Sequence, residues 1–166
     1  MSERSPAPGG LELVESLVNT LDLESGGDSL DTAEGRARFG LAEEDIPGAR
    51  ELRESLRVAL LAHAGHPPHR TATPLGELLA AGPLVVTVDA ADGSADLLAA
   101  DGGSLLSQVA VAIAQALGDG TWARLKACEA ADCHWAYYDR SPAGRGRWCS
   151  MQVCGARAKM RRYRAK

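Results

Sequence analysis

Four cysteines near the C-terminus are the residues with the clearest chemistry in this chain. Their spacing is Cys128-x4-Cys133-x15-Cys149-x4-Cys154, and the first 127 residues contain none. Two pairs at short spacing let two turns supply two thiolates each, an arrangement that suits a tetrahedral zinc ion. An ion bound by four sulfurs has no open coordination position and is therefore structural. The pattern predicts a zinc site formed by Cys128, Cys133, Cys149 and Cys154.

Two other states of the cysteines stay open from the sequence. They are four buried thiols with no ligand and a reversible disulfide pair that senses oxidants and releases zinc. A tight, even cluster favours a metal over disulfides when nothing indicates export. The first ten residues are polar and rich in Pro and Gly, and the longest nearly apolar stretch, 105–117, is shorter than the about 20 residues that span a bilayer. We expect a cytoplasmic protein with no membrane segment.

The basic residues are concentrated around the cysteines. The whole chain has a net charge of −4, yet residues 121–166 contain 11 Lys and Arg against three acids. Residues 1–120 contain seven against 19, so the two parts differ in sign as well as size. This asymmetry predicts two domains with different partners, residues 1–120 and 121–166. Attraction between the two parts is the alternative reading of the same charges.

The basic side chains of the second part fall on a loop and on a predicted helix. The loop lies between the cysteine pairs, among four aromatic residues that we expect to form a small core, with base stacking as the alternative. Residues 155–166 contain no acid and predict a helix with two basic stripes, which suits contact with phosphates. A frayed cationic tail is the other interpretation. The predicted DNA contacts are Arg140, Arg145, Arg147, Arg157, Lys159, Arg161, Arg162, Arg164 and Lys166.

The first 120 residues have the pattern of a mainly helical domain with one hairpin. Helical periodicity and turn signals predict helices over 11–23, 32–39, 49–64, 75–81 and 104–117, and a β-hairpin over 84–89 and 95–100. The predicted fold class is α+β, with a mainly helical N-terminal domain. A small zinc finger of treble-clef or ribbon type with a C-terminal helix follows it.

Several polar residues could also do chemistry. His63, His66 and His69 have a metal-like spacing, but Pro67 and Pro68 interrupt any helix there, so we expect ordinary loop histidines. His134 adjoins Cys133 and would compete poorly for the same ion. No Gly-rich phosphate loop, HExxH or GxSxG motif is present, so we expect no enzyme and assign no catalytic residue.

The last 39 residues resemble the CGNR zinc finger, which ends bacterial proteins described as stress-induced transcription regulators. The family pattern has two cysteines four residues apart, an aromatic-Asp-x-Ser segment, Arg-Trp-Cys-Ser-Met, and Cys-Gly-Asn-Arg-x-Lys. The corresponding residues here are Cys128 and Cys133, Tyr138–Ser141, Arg147–Met151, and Cys154–Lys159. Ala156 stands where the family has Asn, so any polar contact of that side chain is lost.

The N-terminal part is similar, more weakly, to the ABATE domain that precedes this finger in the family. Leu17-Val18-Asn19-Thr20 resembles its aromatic-Ala-Asn-Thr segment, and Leu52-Arg53 resembles its Ala-x-x-Leu-Arg helix. The resemblance implies an α+β domain that binds a ligand or regulates the finger.

These observations favour a zinc-dependent, DNA-binding transcription regulator of bacterial origin. The N-terminal domain would sense or scaffold, and the finger would contact DNA. A small-molecule effector and a homodimer are further partners left open. The alternatives are an RNA-binding or protein-interaction zinc module, and a small-molecule enzyme in the N-terminal domain.

Overall fold

A computed structural model describes residues 5–165. Within these residues the chain is α+β, as predicted, with six α-helices and two antiparallel two-stranded sheets. The helices are α1 (Leu11–Val18), α2 (Ala33–Ala37), α3 (Ile46–His63), α4 (Leu75–Leu79), α5 (Leu105–Gly118) and α6 (Ala156–Arg164). The strands are β1 (Leu84–Val88), β2 (Ala95–Ala99), β3 (Leu125–Ala127) and β4 (Ala136–Tyr138).

The main core lies between α1, α3 and α5. Each helix buries the apolar side chains that its sequence places at helical spacing, and these residues form one continuous buried cluster. Its fully buried leucines and valines include Val14, Leu17, Leu56, Leu60 and Val109. Each such side chain contributes about 1.5–3 kcal/mol by leaving water. This core fixes the platform on which the cysteine segment is mounted.

Helix α1 is shorter than the sequence predicted, ending at Val18 instead of residue 23. The Thr20 hydroxyl donates to the carbonyl of Leu17 at 2.8 Å, and Leu21 leaves the helix to bridge Asp28. Helix α3 begins three residues before the predicted start, with Pro47 in its first turn. Proline is tolerated there because the N–H that it lacks would have no helical partner.

The predicted hairpin is present as β1 and β2, paired from Leu84 with Ala99 to Val88 with Ala95. Its turn spans Asp89–Ser94, and Gly93 adopts a positive φ of 73° that other residues disfavour. The hairpin packs against α5. The side chains of β1 remain exposed.

A second hairpin, β3–β4, was not predicted. It begins five residues after the proposed boundary at Gly120, with Leu125 opposite Tyr138. Leu125, Ala127 and Ala136 belong to the same buried cluster as the apolar side chains of α1, α3 and α5. The division into residues 1–120 and 121–166 stays a prediction, and the two parts share one apolar core.

None of the helices within the described residues is both long enough and apolar enough to cross a membrane.

Candidate metal centre and basic surface

The four cysteines reach one point from two separate elements. Cys128 and Cys133 lie in the loop that joins β3 to β4. Cys149 lies just before a wide helical turn, Met151–Gly155, that leads into α6, and Cys154 lies within that turn. All four Sγ atoms lie within 4.8 Å of one another. The Sγ of Cys149 is 3.6 Å from that of Cys133 and 3.7 Å from that of Cys154.

These distances fit a tetrahedral metal site. Four sulfurs at about 2.3 Å from a central zinc ion stand about 3.8 Å apart. A disulfide would need sulfurs at about 2.05 Å, and all four cysteines are free thiols. The four thiols and the distances between them therefore suit one tetrahedral metal ion such as zinc. The two elements that supply them are not joined by a disulfide.

The thiols also shift one another's pKa values, and a bound cation would offset those that are raised. Hydrogen bonds from Cys133 and Cys149 lower the pKa of Cys128 below its usual value. The hydrogen bond with Cys128 raises the pKa of Cys133, and burial raises that of Cys154. One thiolate thus forms readily while its neighbours resist ionising beside it. A divalent cation at the centre would let all four ionise together.

The loop carrying Cys128 and Cys133 is closed by its own backbone and by His134. The N–H of Cys128 donates to the carbonyl of Trp135 at 2.9 Å, and the N–H of Cys133 donates to Ala130 at 2.9 Å. His134 is buried and has a positive φ of 48°. Its Nδ1 lies 2.8 Å from the carbonyl of Cys128, which can only accept, so Nδ1 carries the proton. Through this bond His134 braces the turn that carries Cys128 and Cys133.

A buried arginine joins this turn to the helical core. The side chain of Arg57 in α3 is fully buried. It donates to the carbonyl of His134 at 3.1 Å and to that of Val18, at the end of α1, at 2.9 Å. Its Nε lies 3.3 Å from Glu54, which also accepts from Arg53 and contacts His69. The ring of His69 lies 5.3 Å from that of His134. A continuous polar network thus runs from α3 to the cysteine turn.

Asn19 makes a second link between the core and this turn. Its side-chain amide donates to the carbonyl of Ala136 at 3.0 Å, and its oxygen accepts from the N–H of Ala136 at 2.7 Å. The amide group therefore pairs with β4 as another strand would. Asn19 thus fastens the end of α1 to the strand that follows the cysteine turn.

His63, at the end of α3, and His66 and His69, beside Pro67 and Pro68, also contact the cysteine segment. Nδ1 of His63 lies 2.7 Å from the carbonyl of Leu125, and its ring meets Trp122 edge-on at 4.8 Å. His66 lies 3.7 Å from Glu129. Histidine spacing gave no sign of these contacts, which depend on where β3 lies beside α3.

The basic loop between the cysteine pairs is held by a buried ion pair. Asp139 accepts from Lys126 Nζ at 2.9 Å, from the N–H of Ser141 at 3.0 Å and from the N–H of Gly146 at 2.7 Å. Burial raises the pKa of Asp139, but these bonds outweigh it and hold the pKa well below its usual range. Arg124 adds bonds to three loop carbonyls. None of these roles was predicted, although Asp139 belongs to the quoted aromatic-Asp-x-Ser segment.

The three arginines of this loop differ in how far they are engaged. Arg140 donates to the carbonyls of Ser5 and Pro6 and lies over the ring of Tyr138. Arg147 makes a two-pronged ion pair with Glu129 and lies 5.6 Å from the Trp148 ring. Arg145 is exposed, and no acid within residues 5–165 pairs with it. All three line an open groove of 690 Å³.

Helix α6 extends from the metal centre with almost every side chain exposed. Arg157 pairs with Glu24 at 3.0 Å, and Arg161 lies 3.9 Å from Asp132. In the described part of the chain, Lys159, Arg162 and Arg164 have no acidic partner. The predicted contact Lys166 lies outside the described residues.

The aromatic residues divide between two cores. Trp148 packs on the cysteine cluster, and Gly155 allows that close approach, since a Cβ there would lie 3.3 Å from the Trp148 ring. Tyr137 is buried, and Tyr138 packs against the main core. The expected separate core of the finger is therefore partly shared with the helices.

A match to a known family agrees with the geometry of the C-terminal segment. A β-hairpin and a helix that bring four cysteine sulfurs to one point define a metal-binding module of the zinc-finger class. The CGNR zinc finger family model matches residues 124–166. The match begins one residue before β3 and so includes the hairpin that the main core covers. No curated protein matches this chain.

Proposed function

We propose that the four cysteines bind one zinc ion, and that the module they form is the DNA-binding part of a bacterial, cytoplasmic transcription regulator. The donor set supports zinc, because four thiolates suit it and leave no open coordination position. When bound, the ion would tie α6 to the β3–β4 hairpin. The contacts with DNA would be made by basic side chains of the protein.

The observation that carries the DNA proposal is the cationic helix at the metal centre. Helix α6 holds five Lys and Arg and no acid, and it is exposed along its length. At about 100° per residue, Arg157, Arg161 and Arg164 form one stripe, and Lys159 and Arg162 form another. Two stripes flanking one face suit a helix lying against the phosphates of a duplex.

The ion pairs that α6 makes within the chain are weak enough to be exchanged. Arg157, Glu24, Arg161 and Asp132 are all substantially exposed, and exposed pairs contribute about 0–1 kcal/mol. Phosphates could replace both acids at little cost. In contrast, Arg147 is held in two-pronged geometry by Glu129, whose side chain is only 23% exposed. Arg145 is therefore the better candidate for a base contact, and Arg147 positions the loop.

The proposal gives the N-terminal part a regulatory role. We infer an ABATE-like regulatory role for residues 1–120, supported by the polar network that runs from α3 to His134. A change in α3 would reach the cysteine turn through Arg57, which touches both.

The test is binding by the zinc-loaded full chain to sequences selected from a random duplex pool. Salt dependence is then compared for the wild type, Arg164→Ala and Arg38→Ala, a control that removes the same charge from an exposed site outside the module. Each lost phosphate contact should reduce the slope of log affinity against log salt by about 0.9. We expect that change for Arg164→Ala alone.

Arg145→Ala should lose affinity for the selected duplex but much less for a scrambled one, a difference of about 1–3 kcal/mol. Equal slopes for Arg164→Ala and Arg38→Ala would contradict the role of α6. Tighter binding to structured or single-stranded RNA than to any duplex would favour the RNA-binding alternative, for which Trp148, in the groove that Arg145 also lines, offers a stacking surface.

A further inference from the structure

The edge of the first hairpin is the largest apolar feature that the proposed function does not use. Val86 and Val88 are 64% and 65% exposed, and Leu84, Val85 and Leu98 are also exposed. Proteins protect exposed strand edges with charges, proline, bulges or covering elements. Strand β1 has the sequence Leu-Val-Val-Thr-Val and contains neither a charged residue nor a proline.

The backbone at this edge is also unpaired. The N–H of Asp89 donates to Ser94, and that of Ala100 donates to Pro83, so these two positions form hydrogen-bonded pairs at either end of the hairpin. Alternation along an antiparallel ladder then turns the N–H and C=O groups of Leu84, Val86 and Val88 away from β2. The sheet has two strands, so no other strand among the described residues meets this edge.

We propose that β1 pairs antiparallel with β1 of a second copy of this chain, around a two-fold axis at Val86. The two hairpins then form one four-stranded sheet with both β1 strands in its centre. Leu84 faces the partner's Val88, and Val86 faces the partner's Val86. Each such pair exchanges two hydrogen bonds and satisfies the outward groups of both strands. The interface is isologous, so the assembly closes at two copies.

Strand β1 is uncharged and largely apolar, so it suits an uncharged, apolar strand, and β1 of a second copy is such a strand. Asp96, opposite Thr87 on β2, lies one strand back from the edge. The nearest acid in sequence, Asp89, lies beyond the paired region. In the proposed register the two copies of Asp89 are six residues apart along the strand, about 20 Å. That separation exceeds two Debye lengths at physiological salt, so their repulsion is screened.

The extent of the patch sets the expected strength. Five exposed apolar residues a side are far fewer than the about 20–30 of a standard interface. We therefore expect a weak dimer, with a dissociation constant on the order of 10 µM. If the proposed function holds, the two-fold axis would present two cysteine modules to paired half-sites of a palindromic duplex. Dimerisation itself needs no DNA, so its failure is separate from failure of the proposed function.

The experiment is sedimentation of the full zinc-loaded chain between about 1 and 200 µM, a range that brackets this constant. Val86→Pro removes an N–H that the hairpin does not use, and proline is tolerated on an edge strand. Val86→Thr is the matched control, because it keeps the N–H and the β-branched shape. We expect dimers of the wild type and of Val86→Thr, and a monomer of Val86→Pro with unchanged far-UV circular dichroism.

A second variant keeps the test decisive if Val86→Pro misfolds. Val88→Lys leaves every backbone group in place and puts a charge opposite the partner's Leu84, so it should raise the dissociation constant at least tenfold. A wild type that is monomeric over the whole range would overturn the proposal. So would a dimer that Val86→Pro and Val88→Lys leave intact. Salt-sensitive, open-ended association abolished by Arg161→Ala would also overturn it, and would assign α6 of a second copy to the acidic N-terminal part instead.

Discussion

Arg57→Met tests whether the buried network holds the cysteine turn to the helical core. Methionine keeps most of the side-chain volume, so the change removes hydrogen bonds and charge rather than opening a large cavity. It leaves the carbonyls of Val18 and His134 without their Arg57 donor, at about 1–3 kcal/mol for each buried group. Glu54 keeps Arg53 and His69 as partners, so the buried carboxylate is not left unpaired when Arg57 is removed.

We expect the free energy of unfolding to fall by about 3–5 kcal/mol, the usual cost of breaking one side of a buried pair. The control is Arg50→Met in the same helix, where the arginine is 41% exposed and pairs with Asp28 and Asp31. The side chain of Asp28 is buried but keeps Arg53 and the N–H of Leu30 as partners, so this loss should be smaller, about 1 kcal/mol. Urea unfolding of the zinc-loaded chain at pH 7 measures both.

Zinc affinity provides a second measurement on the same two variants. The carbonyl of His134 anchors the turn between Cys128 and Cys133, and partners that orient a metal ligand typically change affinity by about 10–100-fold. Competition with a chelator should show weaker binding for Arg57→Met and an unchanged value for Arg50→Met. If the two variants lose equal stability and keep equal zinc affinity, the coupling through Arg57 is wrong.

Four further outcomes are expected. Burial raises the pKa of Glu54, but the hydrogen bond with His69 and the charge of Arg57 outweigh it, so the pKa falls from 4.5 to about 2. Because this pKa is lower in the folded chain than in the unfolded chain, ionised Glu54 stabilises the fold above pH 4.5, and that stabilisation is lost as the pH falls towards 2. Wild type should therefore lose about 3 kcal/mol more than Glu54→Gln between pH 6 and pH 2 in urea titrations, and parallel curves would contradict this. Elemental analysis should find one zinc per chain and none in Cys154→Ser, whose far-UV circular dichroism should keep the signal of α1, α3 and α5; stoichiometric zinc in that variant would refute the four-thiolate site. Gly146→Ala should destabilise the chain by about 1–3 kcal/mol in thermal unfolding, because its Cβ would lie 2.9 Å from Asp139 Oδ1, whereas Gly48→Ala, with open space around it, should not. Oxidation by peroxide should be slow with zinc bound and should release the ion as thiolates react, which a zinc-sensitive dye can follow, and rapid oxidation without zinc release would contradict the assignment.

Much of the local structure could be predicted because local signals encode it. The leucine and valine spacing of α3 and α5 follows helical periodicity, and Ser104 caps α5 through the N–H of Ser107 at 3.2 Å. The cysteine spacing predicted which four residues converge, and their sulfurs do lie within 4.8 Å. These features depend on neighbours in sequence or on a repeated motif.

What could not be predicted depends on contacts distant in sequence. Strands β3 and β4 have only three residues each, too short for an alternating pattern to stand out. Asn19 and Ala136 pair across 117 residues, and Arg57 and His134 across 77. Arg147 was predicted only as a DNA contact, because no local pattern indicates its ion pair with Glu129, 18 residues earlier. Such roles arise from packing, and no local pattern carries them.

The shared core has a consequence for how this module can be inherited. Leu125, Ala127 and Ala136 are covered by helices that lie more than 60 residues earlier in the chain. A recombination event that moved residues 124–166 into another gene would transfer the four cysteines with a bare apolar strand pair. The recipient would have to supply a helical surface to cover that pair and a donor for the carbonyl of His134. Selection should therefore keep the two halves of this gene together, and substitutions in α3 should be tolerated only when β3 changes to match.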